Sequence, residues 1–421
     1  MVAAMKVLHI IKTAVGANWA YEQVRVLCSL GIEVVVALPS DTEGLAPKYR
    51  QAGATVVAAN LDLPAREPWR IPATLRACRQ LVADVRPDLI HTHHVGPTFV
   101  TRLALGKNSP IPRLFQVPGP LHLEHPFFAW LDVTLAGPRD FWIAVCESIQ
   151  EKYRLHGVAF DRVFLSRIGM RAIQIGPRRN DDMRRELGIP LDAPVIGMVA
   201  HVYAPKFFLA QTRGVKGHED FIAALALIKR TRPDVRGVIV GGSWQKSGVW
   251  YEKRLHSLGE KICGSSLIFL RHRTDLDAVS GLFDVAVQPS HSDAIAWSVA
   301  ELLQRNVPVV ATKVGGLPEV IHDGETGWLV PPRNPPAIAG AVLNALANPE
   351  EARRRAAYGA ELARHLLDVE KTAREIAALY GKVLKVAGSA QLAQRIESSR
   401  GNNTESSRSG VLGSQRLGNK G

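Results

Sequence analysis

The sequence predicts an α/β protein of two doubly wound domains that face each other across a cleft. Three observations carry this reading. Apolar, strand-like runs alternate with segments of helical periodicity along most of the chain. Those runs are continuous rather than alternating, as expected of parallel strands covered on both faces. The rhythm breaks once, in the polar, turn-rich stretch GMRAIQIGPRRNDDMRRELGIPLDAP, and then restarts. At 421 residues the chain is too long for one ordinary core and long enough to bury two.

In order, Lys6–Ile11 reads as the first strand, Ala20–Leu30 as a helix stopped by Gly31, and Glu33–Leu38 as the second strand. Short strands are expected over Ala54–Ala58 and Leu89–Thr92, with Pro72–Val85 helical between them. Strands over Leu114–Val117 and Phe141–Val145 follow, the latter leading into a helix from Ser148. After the break come a strand over Val195–Val202, a helix over His218–Lys229 and a strand over Arg236–Val240. Ser266–Leu270, Asp284–Gln288, Pro308–Thr312 and Trp328–Val330 supply the remaining strands. A short helix is expected over Ala278–Phe283, capped by Asp275 or Thr274, and another from Trp297. Helices over Pro335–Ala347, Glu350–Leu366 and Asp368–Ala387 complete the pattern. The expected organisation is a first domain at 1–178, a second at 179–367, a helix at 368–387 that crosses back to the first, and a disordered basic tail at 388–421.

The N-terminal apolar run has no small-residue cleavage site and reads as a strand, and no stretch is long enough to span a bilayer. A cytoplasmic protein is expected. Cys28, Cys78, Cys146 and Cys263 are too scattered for a zinc site or disulfide framework, and their apolar neighbours mark them as small buried hydrophobes. The net charge of +13 fits phosphorylated substrates or peripheral association with the inner face of a membrane. Nucleic acid is disfavoured, because no aromatic-basic interleaving accompanies the charge. The series Arg66, Arg70, Arg76, Arg79 and Arg86 reads first as a solvated helix face and second as a membrane-docking one.

Ligands of doubly wound sheets bind beyond the carboxyl ends of the strands, so site residues are sought there. After the strand ending at Gln288 come Asp293 and, two helical turns on, Glu301. By local sequence alone Asp293 or Ser292 caps the helix and Glu301 is solvated; alternatively the two acids grip one ligand. The loop and helix start between them suit an anion, because backbone N–H groups point outward there. No G-x-G-x-x-G follows the first strand, which disfavours a dinucleotide enzyme. Asp275-Leu276-Asp277 reads as a cap rather than a metal motif. His91, His93 and His94 end a strand, but no nearby Cys or acid completes a metal set, and no metal site is assigned.

From Glu301 onward, EL-LQ, VPVVATKVGGLPEVI and DGETGWLVPP closely resemble the signature region of family-4 (GT4) retaining glycosyltransferases. The pattern is met by Asp293, Glu301, Pro308–Thr312, Gly315-Gly316, Pro318-Glu319, Gly324, Gly327 and Leu329-Val330. A weaker likeness extends to about residue 387. The resemblance implies the GT-B fold, two Rossmann-like domains facing across a cleft, and metal-independent transfer of a sugar from a nucleotide-diphosphate donor to an acceptor hydroxyl. It implies no cofactor beyond that donor, a carbohydrate or lipid-linked acceptor, and a role in polysaccharide or glycolipid assembly.

Carried over position by position, the resemblance gives Asp293 the donor sugar's hydroxyls and Glu301 the ribose. Ala294, Ile295, Ala296, Trp297 and Ser298 would receive the diphosphate on their N–H groups. Lys216, with Gly217, would neutralise the leaving diphosphate, and His201 stands where the family has an arginine. An insertion, Ala204–Arg213, separates the two, and Arg213 would be a candidate to stand in spatially for that arginine. Gly241 and Gly16 match glycine turns near the nucleotide. His122, in QVPGPLHLEHP, is the histidine expected near the reacting sugar, against a plain hydrogen-bonded loop histidine. The chain departs from the family at Asp293-Ala294-Ile295-Ala296, where E-G-F-G is usual. Two other classes stay open: a nucleotide-sugar epimerase or hydrolase of the same fold, and a catalytically silent nucleotide-sugar-binding protein.

Overall fold

A computed structural model describes residues 5–173, 179–206, 211–243 and 248–388. The expected boundary at 178, part of the 204–213 insertion and the tail after 388 lie outside the described residues. The first sheet is built from β1 (Lys6–Ile11), β2 (Glu33–Leu38), β3 (Thr55–Ala58), β4 (Leu89–His93), β5 (Arg113–Val117), β6 (Asp140–Ala144) and β7 (Val163–Leu165). Its helices are α1 (Asn18–Ser29), α2 (Ala46–Gln51), α3 (Ile71–Val85), α4 (Val95–Leu105), α5 (Pro126–Leu135) and α6 (Glu147–Leu155). The strand order is β3-β2-β1-β4-β5-β6-β7, with every pairing parallel.

After α7 (Asp181–Glu186), the second sheet comprises β8 (Val195–Val199), β9 (Arg236–Val240), β10 (Leu267–Leu270), β11 (Val285–Gln288), β12 (Val309–Thr312) and β13 (Trp328–Val330). Its order is β10-β9-β8-β11-β12-β13, again all parallel. Helices α8 (His218–Thr231), α9 (Val249–Cys263), α10 (Leu276–Ser280), α11 (Trp297–Gln304), α12 (Leu317–Val320), α13 (Pro335–Ala347) and α14 (Pro349–Leu366) surround it. Each sheet reverses direction once, at β1/β4 and at β8/β11, and these switch points open the crevices where ligands of such sheets bind.

The central strands are buried on both faces because right-handed crossovers place helices on each side, which is why their sequences read as unbroken apolar runs, whereas the edge strands β3, β7 and β10 are only partly covered. A further helix, 369–388, leaves the second domain and packs on the first. Its Ile376, Tyr380 and Val383 share a core with Val7, Val24, Leu114 and Ile143. Another core joins the domains directly, bringing Val117, Ala144 and Cys146 together with Ala294, Ile295 and Leu317.

Two local expectations change. β8 stops at Val199 rather than Val202, so His201 belongs to the loop beyond the strand. The short helix after β10 is Leu276–Ser280, not Ala278–Phe283. Asp275 occupies its N-cap position but makes no side-chain cap; it binds Arg273 at 2.8 Å, while Asp277 takes Arg305 at 2.8 Å. A guanidinium within reach outcompetes a backbone N–H for a carboxylate. The four cysteines are free, and all but Cys28 are fully buried. Among the described residues no helix is long and apolar enough to cross a membrane.

Candidate active site

The connection from β11 to α11 is organised by its own polar side chains. Gln288 Nε2 donates to Ser290 Oγ at 2.8 Å, and Ser290 Oγ donates to Asp293 Oδ2 at 2.9 Å. From β12, Thr312 Oγ1 donates to the Ser290 carbonyl at 2.6 Å. Lys216 Nζ, from the turn before α8, donates to the same Asp293 oxygen at 2.7 Å. The two side chains are only 19% and 10% exposed, so this charge-assisted bond is partly withdrawn from water. The other Asp293 oxygen accepts the Ala294 N–H at 3.1 Å. Helix α11 begins behind Ala296 with no side-chain cap. The capping role considered for Asp293 or Ser292 is therefore excluded: Lys216 and Ser290 hold the carboxylate, and the helix start carries no side-chain anion.

Glu301 is half-buried within α11 rather than solvated. Burial pushes its carboxyl above the ordinary range, against the opposing pull of Arg305 and the Trp297 side chain. Ala294, Ile295 and Ala296 are 3%, 7% and 3% exposed, with their side chains in the interdomain core. The two alanine methyls that replace family glycines thus pack into that core. Trp297 and Ser298, at the helix start, are partly exposed.

Two glycines fasten neighbouring turns to this loop. Gly217 has φ +72°, and a Cβ there would lie 1.9 Å from the Pro289 carbonyl oxygen. Next to it, the His291 N–H donates to the Val215 carbonyl at 2.8 Å, so the Lys216 turn is strapped to the Asp293 loop. Gly315, at φ +54°, lies so close that a Cβ would sit 1.7 Å from the Asp293 carbonyl oxygen. Only glycine combines a left-handed backbone with that approach.

His201 follows β8 and stacks on His272, ring centroids 5.2 Å apart. Burial and then the His272 ring lower its pKa, which keeps it neutral near pH 7 and a weaker partner for an anion than an arginine. Arg213 is held by Asp220 at 2.9 Å, whose other oxygen lies 2.7 Å from His291 Nε2. Gly241 follows β9, and its N–H donates to the Leu270 carbonyl at 3.0 Å. Gly16 lies exposed beyond β1 with φ +79°.

Across the cleft the first domain corrects the expectation for His122. His122 is 7% exposed, with Nε2 3.2 Å from both Asp132 Oδ2 and the Tyr153 hydroxyl, so it is a hydrogen-bonded loop histidine turned into its own domain. Its neighbours Leu121, Glu124 and His125 face the other way. They line a cavity of about 370 Å³ opposite Arg213, His291 and Arg333, and Glu124 Oε1 accepts Ser292 Oγ–H at 2.8 Å across it. His91 and His93 are fully buried and do not line the cleft, because alternation along β4 turns both towards the 369–388 helix. There they join His9 of β1 in a chain: His93 Nε2 to His9 Nδ1 at 2.9 Å, His9 Nε2 to the Tyr380 hydroxyl at 3.1 Å, and that hydroxyl to His91 Nδ1 at 2.6 Å. Burial lowers the pKa of all three rings. Their nearest nitrogens lie within 4.8 Å of one another, a neutral-imidazole set of the kind that also binds transition metals. His9 has no neighbouring signal in sequence; only strand pairing brings it there.

Glu319, marked in sequence only as part of the signature, proves to bridge the domains. Its carboxylate accepts the Glu147 N–H at 2.7 Å, at the start of α6, and Arg167 Nε–H at 2.8 Å, tying the second domain to the first.

The regions that hold this geometry match two known models. Residues 181–362 match glycosyl transferases group 1, and residues 16–165 match glycosyltransferase family 4. A D-inositol 3-phosphate glycosyltransferase of Corynebacterium urealyticum is 31% identical over 48% of this chain and 46% of its own length. One of Acidothermus cellulolyticus is 27% identical over 78% of this chain and 77% of its own. The chain spans about half the length of most of the curated relatives it matches. Among solved structures, Anabaena HepE in complex with UDP and glucose superposes with a TM-score of 0.75 at 18% identity, covering 90% of this chain and 99% of that one, a likeness of fold. With both domain models matched in order across two parallel sheets, the chain belongs to the family-4 glycosyltransferases of the GT-B fold.

Proposed function

We propose that the protein transfers a sugar from a nucleotide-diphosphate donor to an acceptor hydroxyl, with retention, in polysaccharide or glycolipid assembly. The observation that carries this reading is the Lys216–Asp293 pair beside the uncapped start of α11, at the switch point of the second sheet. A cation and a row of free N–H groups suit a diphosphate, and a carboxylate next to them suits sugar hydroxyls. In this reading Asp293 holds the donor sugar and Glu301 the ribose. The N–H groups of residues 295–298 receive the phosphates, joined by that of Ala294 once it leaves Asp293. Lys216 neutralises charge on the departing diphosphate, the electrostatic contribution that matters most in such a transfer. His201 and Gly241, from the neighbouring ends of β8 and β9, and Gly16, beyond β1 of the first domain, face the same ligand in this reading. The donor is the only small molecule the reading requires, without cofactor or metal.

The Ala294 and Ala296 methyls pack into the interdomain core, so core packing accommodates the departures from E-G-F-G and supports a working site. The exposed Arg66, Arg70, Arg76 and Arg86 fit a cytoplasmic protein that meets an acidic membrane face at its periphery. The test is thermal unfolding with UDP, GDP, ADP and their sugar conjugates, one at a time. A ligand at about a hundred times its dissociation constant adds roughly 2.7 kcal/mol, a rise of several degrees. A rise with one nucleotide class, followed by acceptor-dependent transfer with retained anomeric configuration, is the expected result. Turnover without acceptor would identify a hydrolase or epimerase, and no shift with any nucleotide would overturn the reading.

A further inference from the structure

Helix α5, PFFAWLDVTL, turns its polarity inside out. Its one charged residue, Asp132, is fully buried and bound to Arg102 and Tyr153. Its outward face instead presents Phe127 at 54% and Trp130 at 58% exposure. A soluble helix normally does the reverse, and an exposed aromatic pair marks a contact surface. The pair is also continuous with the interdomain cavity. His125, on the cavity wall, has its ring 5.2 Å from Phe128; Phe128 lies 5.4 Å from Phe127, and Phe127 lies 6.1 Å from Trp130. A track of rings therefore leads from the cavity out over the first domain. His125 Nδ1 is buried at the head of this track without a hydrogen-bond partner among the described residues.

We propose that this track is an acceptor subsite for a glycan chain, in which sugar units beyond the reacting one lie against Phe128, Phe127 and Trp130. The inference rests on the glycosyl-transfer reading above and adds the acceptor's class: an oligosaccharide rather than a single sugar. A pyranose offers an apolar C–H face to an aromatic ring, whose face is electron-rich, while its hydroxyls stay in water. The polar cavity with Glu124 and Arg333 then serves the end of the chain, and the rings serve its body. A bilayer fits this surface less well. No lysine or arginine occurs between residues 121 and 138, and the exposed arginine series lies on and around α3 instead.

The test uses the full chain and saturation-transfer NMR with gluco-, manno-, galacto- and chito-oligosaccharides, each from monosaccharide to tetrasaccharide. At least one series is expected to bind more tightly with length. Phe127→Ala with Trp130→Ala should abolish that gain, roughly tenfold for two stacked rings, and leave monosaccharide binding unchanged. Trp130→Phe, which keeps a ring, should retain most of it. Nucleotide-induced thermal shifts report folding of the double variant and test the donor reading separately, because neither ring belongs to the donor site. The proposal is overturned if no series binds, if affinity is independent of length, or if the double variant keeps the length gain. It is equally overturned if the variant's only loss is sedimentation with phosphatidylglycerol vesicles, which would make α5 a bilayer contact.

Discussion

Replacing Lys216 with methionine separates the two uses of one ammonium group. Without ligand, Lys216 Nζ bonds Asp293 at 2.7 Å, and the pair is 19% and 10% exposed. Breaking a wholly buried pair costs about 3–5 kcal/mol, and an exposed pair is worth about 0–1 kcal/mol. Asp293 keeps its bonds to Ser290 and Ala294, so it is not stranded, and the expected loss is about 1–2 kcal/mol. The second domain should melt roughly 3–6 °C lower. With a nucleoside diphosphate the same change removes a charge-assisted bond to phosphate, worth about 1.5–3 kcal/mol. Part of that is already spent in the wild type, because Lys216 must loosen from Asp293 to reach the phosphate. The lower end applies, about a tenfold weaker dissociation constant. Melting curves titrated with each nucleoside diphosphate give both quantities in one experiment. A variant that melts lower yet binds every nucleotide as tightly as wild type would reduce Lys216 to a strap for the Asp293 loop and refute the donor-site assignment.

Three further outcomes follow from the geometry. Gly315→Ala forces a left-handed alanine against the Asp293 carbonyl, so a loss of about 1–3 kcal/mol and weakened nucleotide binding should appear together by calorimetry. Arg102→Met removes the cation paired with buried Asp132, leaving it only its Tyr153 and His122 bonds, and weakens the hold on Asp140 inside the first domain; about 3–5 kcal/mol and a fall in melting temperature of roughly 10 °C are expected, with nucleotide affinity per folded molecule unchanged. Burial acts to raise the Asp132 carboxyl, but Arg102, His122 and Tyr153 outweigh it and hold the group well below the usual range. Its stabilisation is thus complete above the unfolded carboxyl's pKa and disappears as pH falls through the lowered folded value, which acid melts of the wild type and Arg102→Met can compare. Glu301 behaves oppositely: burial raises its carboxyl, so a ribose contact made by the ionised form should weaken as pH falls through that raised value, and Glu301→Gln should remove this pH dependence from nucleotide binding.

The sequence by itself determined most of the strands, the two parallel sheets and the segment where the proposed donor site lies, but not the short edge strand β7 or helices α2, α4 and α5. Continuous apolar runs can be buried on both faces only in such sheets, and strand-to-helix turns such as Asp293–Ser298 are local in the chain. Resemblance to the family's motifs also marked Lys216, Gly217 and Gly315. What each side chain does was decided by tertiary structure. Asp293 faces both a helix start and Lys216, 77 positions away, and no local rule tells which will win. Resemblance put His122 near the reacting sugar, yet its loop turns it inward to Asp132, and His91 and His93, at the end of a strand, pack inward against His9 and Tyr380. Glu319 finds Arg167, and His9 finds His93, only once separate strands and domains are brought side by side. Short-range periodicity records which face of an element is buried; the partner on that face is a property of the folded chain.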